Sequence, residues 1–339
     1  MRFAFTEDQL MFRDAVADLL TNECPPEKVR WSWNDAGGRD PQLWAALASM
    51  GVVGLTAPEA SGGLGMNEVD LLPILTEAGR AALPAPLLET TAVVIPLLAE
   101  VAPAAIADAW LPRLADGSAI ATIALEGQPF VVDAHLADLL VAQRGDALYA
   151  VPGGNLRLTP QNSVDGARRL FSVVWDEADA QLIVSGDAAR DAASLAFNRG
   201  AVAAAAELIG LAERMIAMTV EYVVARQQFG VPIGSFQAVK HHLADAELKV
   251  SFARPMVWNA AYALANGEAD LDRSVSMAKC FASDAAEVVA RKALQCHGAI
   301  GYTTEHDLHF WLKRSWALAG SWGDAIWHRR RVASLLLDA

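Results

Sequence analysis

The sequence predicts a mostly helical α+β fold in three parts: an N-terminal helical domain over residues 1–117, a small, shortened middle β domain over 118–187, and a C-terminal four-helix bundle over 188–339. Three observations predict it. Apolar residues recur at three-four spacing at the two ends of the chain. Between them the texture changes to short apolar runs punctuated by turn residues. Hydrophobic residues make up 53% of the 339 residues, much of that alanine, which favours helix.

The elements follow in order. Thr6-x-x-Gln9 is a capping-box start, with Leu10, Val16, Leu19 and Leu20 as the apolar stripe behind it. Asp40-Pro41 opens a second helix, with Asp as the cap and Pro at the first position. Ala57 to Gly65 is a loop. The most apolar stretch, Ala81 to Trp110, is broken by Pro84, Pro86, Glu89, Pro96, Glu100 and Pro103, and reads as packed helix and loop, not as a membrane span. Leu139–Gln143, the turn Arg144-Gly145-Asp146 and Ala147–Val151 read as a hairpin, with further strands at Phe171–Trp175 and Leu182–Val184. From about 188 the chain is helical again. Val202, Ala206, Ile209, Ile216, Val220 and Val223 form one stripe and Leu208, Leu211, Met215, Met218 and Tyr222 another, so this helix is buried on two faces. It is expected to stop at Phe229-Gly230. A second helix follows to Asn266-Gly267, with a kink expected at Pro255. A third runs from about Asp272 to His297, closed by Gly298. A fourth follows Thr304 and is interrupted at Gly320 and Gly323.

Several functions are excluded. A formal net charge of −13 without clustered Lys or Arg argues against nucleic-acid binding. Glu7 and Asp8 come too early for a secretory leader, and Cys24, Cys280 and Cys296 show no Cys-x-x-Cys spacing, so a reduced, cytoplasmic protein is expected. Gly62-Gly63-Leu64-Gly65 lacks dinucleotide-fingerprint spacing. Ala319-Gly320-Ser321-Trp322-Gly323 would fall between helices, which a nucleophile elbow does not. There is no Glu-x-x-His to build a di-iron site, and no metal is expected.

Two stretches are more specific. Arg226-Gln227-Gln228-Phe229-Gly230-Val231-Pro232-Ile233-Gly234-Ser235-Phe236-Gln237 sets a guanidinium, amides and an aromatic at one helix end and the start of the next. A guanidinium matches phosphate oxygens with its planar fork. Gln295-Cys296-His297-Gly298-Ala299-Ile300-Gly301-Tyr302-Thr303-Thr304-Glu305 places small residues after a helix, where a ligand can approach the backbone. Either stretch alone reads equally as a helix–helix turn.

With these two stretches, Phe5-Thr6-Glu7-Asp8-Gln9 and the Pro58–Gly65 loop, the sequence resembles the acyl-CoA dehydrogenase family along nearly its whole length. The resemblance implies FAD. It implies that Arg226, Gln228 and Phe229 reach across a subunit interface to the flavin of the adjacent subunit. It also implies that Gln295, Gly298 and Ala299 meet the adenosine and pyrophosphate end, with Gln237 beside them. The departures weigh as much. The family's Thr-Glu-Pro-x-x-Gly-Ser segment for the flavin ring is replaced at Ala121–Gly127. The family's Glu base falls at Gly320 or Ser321, or in some members at Asn198 before Arg199, and neither site is acidic. Removing a weakly acidic proton next to a thioester needs a positioned carboxylate, so no catalytic residue is assigned here. Within the family the chain resembles the base-lacking short subunits of heteromeric actinobacterial enzymes that desaturate steroid side-chain CoA thioesters. That resemblance implies a second subunit carrying the Glu, in a heterotetramer with two copies of each. It also implies an acyl-CoA substrate and an electron-transfer acceptor. A flavin-free structural partner, or a complete homo-oligomeric enzyme using Glu207 or Glu305, stays open at this point. Trp322 is expected to fill the space a thioester would take, with Trp316 or Trp327 beside it.

Overall fold

In a computed structural model of the chain, residues 4–35 and 37–337 are described. Met1, Arg2 and Phe3 of the opening segment lie outside them. The helices in chain order are α1 (Glu7–Glu23), α2 (Pro26–Asn34), α3 (Pro41–Ser49), α4 (Glu68–Arg80), a π-helical segment Leu88–Val94, α5 (Ile95–Val101) and α6 (Ala104–Ala115). Strands β1 (Ala121–Ala124), β2 (Val131–Val132), β3 (Leu139–Arg144), β4 (Ala147–Pro152), β5 (Arg157–Gln161), β6 (Leu170–Val174) and β7 (Gln181–Ser185) follow. Then come α7 (Asp187–Ala225), the short strands β8 (Gln227–Gln228) and β9 (Val231–Pro232), α8 (Gln237–Asn266), α9 (Leu271–His297), α10 (Leu308–Gly320) and α11 (Ala325–Leu337). The order helices, strands, helices is the predicted fold class. The fourth bundle helix is two helices, α10 and α11, parted at Ser321–Asp324, with Gly320 ending α10 and Gly323 inside the break.

Two compact units form. One gathers residues from 1–30, 72–83 and 204–339, the other from 31–71 and 84–203. In the first, α9 is the hub. Its buried positions are mostly small, with Ala278, Ala282, Ala285, Ala286, Ala290 and Ala293 among them, which lets α8, α10 and α11 approach closely. α1 starts at the predicted capping box: Thr6 Oγ1 accepts from Gln9 N at 3.2 Å and Gln9 Oε1 from Thr6 N at 2.8 Å. α8 runs from Gln237 to Asn266 as one helix with Pro255 inside it. Its N-terminal Val239 and Leu243 are only half-buried, while Ala246, Val250, Ala253 and Val257 are buried. α4 and α7 cross closely at two glycines. A Cβ on Gly210 would sit 1.8 Å from the Thr76 carbonyl, and one on Gly79 would sit 2.1 Å from the Glu207 carbonyl. Each helix thus presents a bare backbone to the other.

In the second unit Asp40 caps α3 by accepting from Gln42 N at 2.8 Å. The π-helical segment is entirely buried and is tied down by hydroxyls. Thr90 Oγ1 donates to the Ala121 carbonyl at 2.7 Å and Thr91 Oγ1 to the Val53 carbonyl at 2.8 Å. The predicted hairpin is β3–β4, closed by Gly145-Asp146. It lies in a four-stranded sheet of order β1-β3-β4-β7, in which only β1–β3 is parallel; a three-stranded sheet has the order β2-β6-β5. Their shared core is Val131, Leu140, Val151 and Phe171, with Ala134 and Ala142 between them. Each such fully buried large side chain stabilises by about 1.5–3 kcal/mol. Buried charges are paired here. Glu89 accepts from Arg168 at 3.0 Å. Arg199 donates through Nε to Glu68 at 2.8 Å and through both terminal nitrogens to Glu100 at 2.8 and 2.5 Å.

Candidate functional site

α7 was expected to reach Phe229-Gly230, but it ends at Ala225. Arg226 to Pro232 forms a tight hairpin instead, with Gln227 opposite Pro232 and Gln228 opposite Val231. The physical reason lies at its tip. Phe229 and Gly230 both take positive φ, +54° and +80°, as a two-residue type I′ turn requires. For Gly this is easy; for Phe it is an unfavourable conformation that persists only where the surroundings impose it. The result is an aromatic ring held outward: Phe229 is 92% exposed, with an edge contact to Phe236 at 6.1 Å. The hairpin is anchored by Arg226 N donating to the Tyr222 carbonyl and Ile233 N to the Arg226 carbonyl, both at 2.8 Å.

Gln237 is the first residue of α8, Gln295 lies in the last turn of α9, Gly298 is its C-cap with φ +64°, and Ala299 follows. All seven residues singled out from the sequence, Arg226, Gln228, Phe229, Gln237, Gln295, Gly298 and Ala299, are exposed. What joins the two stretches is a contact the sequence reading missed: the Tyr222 ring, one turn before Arg226, stacks on His297, two residues after Gln295, at 4.4 Å and 23°. His297 lies inside the second flagged stretch and Tyr222 in the apolar stripe one turn before the first, but nothing in the spacing said they would meet.

The positions read as lacking a base have definite places. Asn198 is buried at 2% exposure, beside the ion-paired Arg199. Gly320 ends α10, and Ser321 Oγ donates back to the Ala317 carbonyl at 2.7 Å. Trp322 is 5% exposed with φ +56°, whereas Trp316 and Trp327, either of which was expected beside it, are exposed. Glu207 is buried within α7, and Glu305 is exposed in the turn before α10. A buried lysine that sequence reasoning missed holds this break: Lys279 Nζ on α9 donates to the Ala319 and Gly323 carbonyls, each at 3.0 Å, and to Ser283 Oγ at 3.2 Å. His328 Nε2 donates to the Trp322 carbonyl at 2.8 Å, which fixes the proton on that nitrogen because a carbonyl only accepts.

Burial, with the Lys279 ammonium acting in the same direction, pushes the His328 imidazole down from its usual 6.5 to about 4, against the opposing pull of the Trp322 carbonyl and Asp324. Above about pH 6.5 folded and unfolded chains both keep this ring neutral. Between about pH 6.5 and 4 only the unfolded chain takes up the proton, so stability should fall on acidification by up to about 3 kcal/mol. Denaturant titrations at pH 7 and 4.5 on the native chain and on His328→Gln check this. The variant should lose less on acidification, and an equal loss would exclude His328 as the source.

Among the described residues no group of three or more His, Cys, Asp or Glu could hold a metal, and no helix is long and apolar enough to cross a membrane. Cys24, Cys280 and Cys296 are buried thiols outside any disulfide. Residues 6–118 match the acyl-CoA dehydrogenase N-terminal domain and residues 190–335 match the acyl-CoA dehydrogenase C-terminal domain. Over 310 residues the chain is 36% identical to acyl-CoA dehydrogenase IpdE2 of Mycobacterium tuberculosis, covering 91% of each. The chain belongs to the acyl-CoA dehydrogenase family. As an acyl-CoA dehydrogenase it superposes with a TM-score of 0.90 on a chain of the ChsE4-ChsE5 complex from Mycobacterium tuberculosis, at 25% identity and over 100% of both chains. The Tcur3481-Tcur3483 steroid ACAD gives the same TM-score at 24% identity over 98% of each, a likeness of fold. Members of the family are FAD-binding flavoproteins and oxidoreductases, which is the chemistry against which the exposed hairpin has to be read.

Proposed function

We propose that this chain is one subunit of a heteromeric FAD-dependent acyl-CoA dehydrogenase, giving part of the flavin's binding surface while a partner subunit brings the catalytic Glu. The observation that carries the reading is the hairpin: its Phe229 is presented to solvent at 92% exposure in a backbone conformation a Phe does not adopt without cause. A ring so held, beside the exposed Arg226 and Gln228, is suited to a surface that another chain completes. The ChsE4-ChsE5 complex, whose fold this chain shares, pairs two different chains and supports the same arrangement here.

The residues present fit the pyrophosphate end of FAD. Arg226 offers a planar cation for phosphate oxygens, Gln228 and Gln295 offer amides, and a Cβ on Gly298 would meet nothing within 4 Å, so the backbone there is open to close approach. In the reaction an α proton is taken from the acyl-CoA thioester, and FAD, when bound, accepts the hydride lost from the β carbon. This chain's part is to grip and orient: Arg226 neutralises the pyrophosphate, and Phe229 excludes water beside it. With Asn198, Gly320 and Ser321 at the base positions it holds no proton acceptor for the substrate, and the partner's carboxylate takes that role. A steroid side-chain CoA thioester as substrate, an electron-transfer acceptor, and two copies of each subunit with one FAD per unlike pair complete the reading.

Arg226→Ala, co-purified with the partner, tests it. A charge-assisted hydrogen bond of this kind is worth about 1.5–3 kcal/mol, so FAD affinity should fall by about tenfold or more. An unchanged affinity would remove Arg226 from the flavin site. FAD missing from the complex altogether would favour a flavin-free structural role for the chain.

A further inference from the structure

The Arg226–Pro232 hairpin has two residues in each strand, too few to hold a position by its own ladder. The side chains beneath it show what does. Tyr222 stacks on His297 at 4.4 Å, and its hydroxyl donates to the His297 carbonyl at 3.4 Å. His306 closes the group edge-on, 4.6 Å from His297 at 66° and 6.1 Å from Tyr222 at 88°. Its own ring is fixed at the start of α10, because Nδ1 accepts from Leu308 N at 3.2 Å. The loop that carries it is tethered by Arg30, which donates to the Thr304 carbonyl at 2.8 Å and to Asp307 at 2.5 Å.

His297 is the informative member. Its Nδ1–H donates to the Ala293 carbonyl at 2.8 Å, leaving a lone pair on Nε2. That nitrogen is buried and has no hydrogen-bond partner among the described residues. A buried acceptor left empty is disfavoured, so polar satisfaction does not explain why an imidazole sits here. What its placement secures is a ring stack between the residue at the foot of the hairpin and the corner that ends α9. We propose that Tyr222, His297 and His306 are a positioning cluster that sets the Arg226–Pro232 hairpin against the Gln295–Ala299 corner, so that both can grip one dinucleotide. The dinucleotide half of this rests on the flavin reading above; the positioning half does not.

Trypsin cleavage of the full-length chain after Arg226 reads the hairpin directly, and cleavage after Arg330, exposed on α11, controls for global loosening. Tyr222→Leu removes the ring and Tyr222→Phe keeps it. An aromatic stack of this kind corresponds to a change of about three- to tenfold in the open population, so Tyr222→Leu should be cut after Arg226 faster by that factor while Arg330 is unaffected. Tyr222→Phe should stay within about twofold of the native chain, because the 3.4 Å hydroxyl contact is a minor part. FAD affinity of the co-purified complex should fall in Tyr222→Leu and hold in Tyr222→Phe. Native-like cleavage in Tyr222→Leu, equal acceleration at both arginines, or full FAD affinity in Tyr222→Leu while Arg226→Ala loses it, would each overturn the inference. If Arg226→Ala leaves FAD untouched, the flavin reading falls and the cleavage rates still decide the cluster. Should Tyr222→Leu not fold, His297→Leu removes the stack from its other side and carries the same expectations.

Discussion

Purified without its partner, this chain should desaturate acyl-CoA thioesters at least about 10²-fold, and up to about 10⁴-fold, more slowly than the co-purified complex, because that is the rate effect of a lost general base. The expectation follows from named positions. Asn198 is buried and carries an amide; Gly320 has no side chain; the Ser321 hydroxyl is engaged with the Ala317 carbonyl. None can take a weakly acidic carbon-bound proton at neutral pH. Glu207 and Glu305, the remaining candidates, are respectively buried within α7 and exposed to solvent. The assay is reduction of an artificial acceptor by the chain alone, by the complex, and by the complex whose partner Glu is changed to Gln. Robust turnover by the isolated chain would end the idea that the base comes in trans. The complex should also carry one FAD for every two chains; one per chain would refute the shared site.

The largest expected effect on stability is at Gly210. A Cβ there would lie 1.8 Å from the Thr76 carbonyl and 2.7 Å from Arg80 N. Both obstacles are backbone, so no side chain can swing aside and the two helices must separate. Gly210→Val should therefore destabilise by more than the roughly 1–3 kcal/mol typical of overpacking, and the variant should accumulate as insoluble protein. Gly320→Ala is the contrast. Nothing lies within 4 Å of the added Cβ, and the position ends α10, so that change should be neutral or stabilise by about 0.4–1 kcal/mol. Soluble yield and denaturant midpoints separate the two. Similar midpoints for both variants would mean that the α4–α7 crossing can open without penalty.

Features with a local cause were legible in the sequence. The Thr6–Gln9 box, the Asp40-Pro41 start and the β3–β4 hairpin each depend on residues a few positions apart, and each formed as read. The end of α7 was not legible. Ala225-Arg226-Gln227-Gln228 contains no helix breaker, and the competing hairpin is selected by two positive-φ residues, one of which is Phe. Pairings over long separations were invisible as well: Glu89 with Arg168, Arg199 with Glu68 and Glu100, and Lys279 with the Ala319–Gly323 break. The glycines at the α4–α7 crossing did leave a signal. A lone Gly inside a strongly helical pattern is disfavoured by about 1 kcal/mol relative to Ala, so Gly79 and Gly210 called for a packing reason. For the candidate site, the two flagged stretches were visible from residue type, but the Tyr222–His297 stack that joins them belongs to tertiary structure alone.

The first compact unit draws its residues from three separated parts of the chain, 1–30, 72–83 and 204–339. On the ribosome this fixes an order of events. α1 emerges first, with Val16 and Leu20 destined for burial, while the bundle that belongs to its unit begins some 170 residues later. At translation speeds of about 5–20 residues per second the helix waits roughly 15–65 s until residue 339, and with it that bundle, has been made. The 31–71 and 84–203 unit can close during that interval, because its last segment is complete before most of the bundle exists. A nascent chain in which that unit has closed still holds α1 apart from the bundle of its own unit.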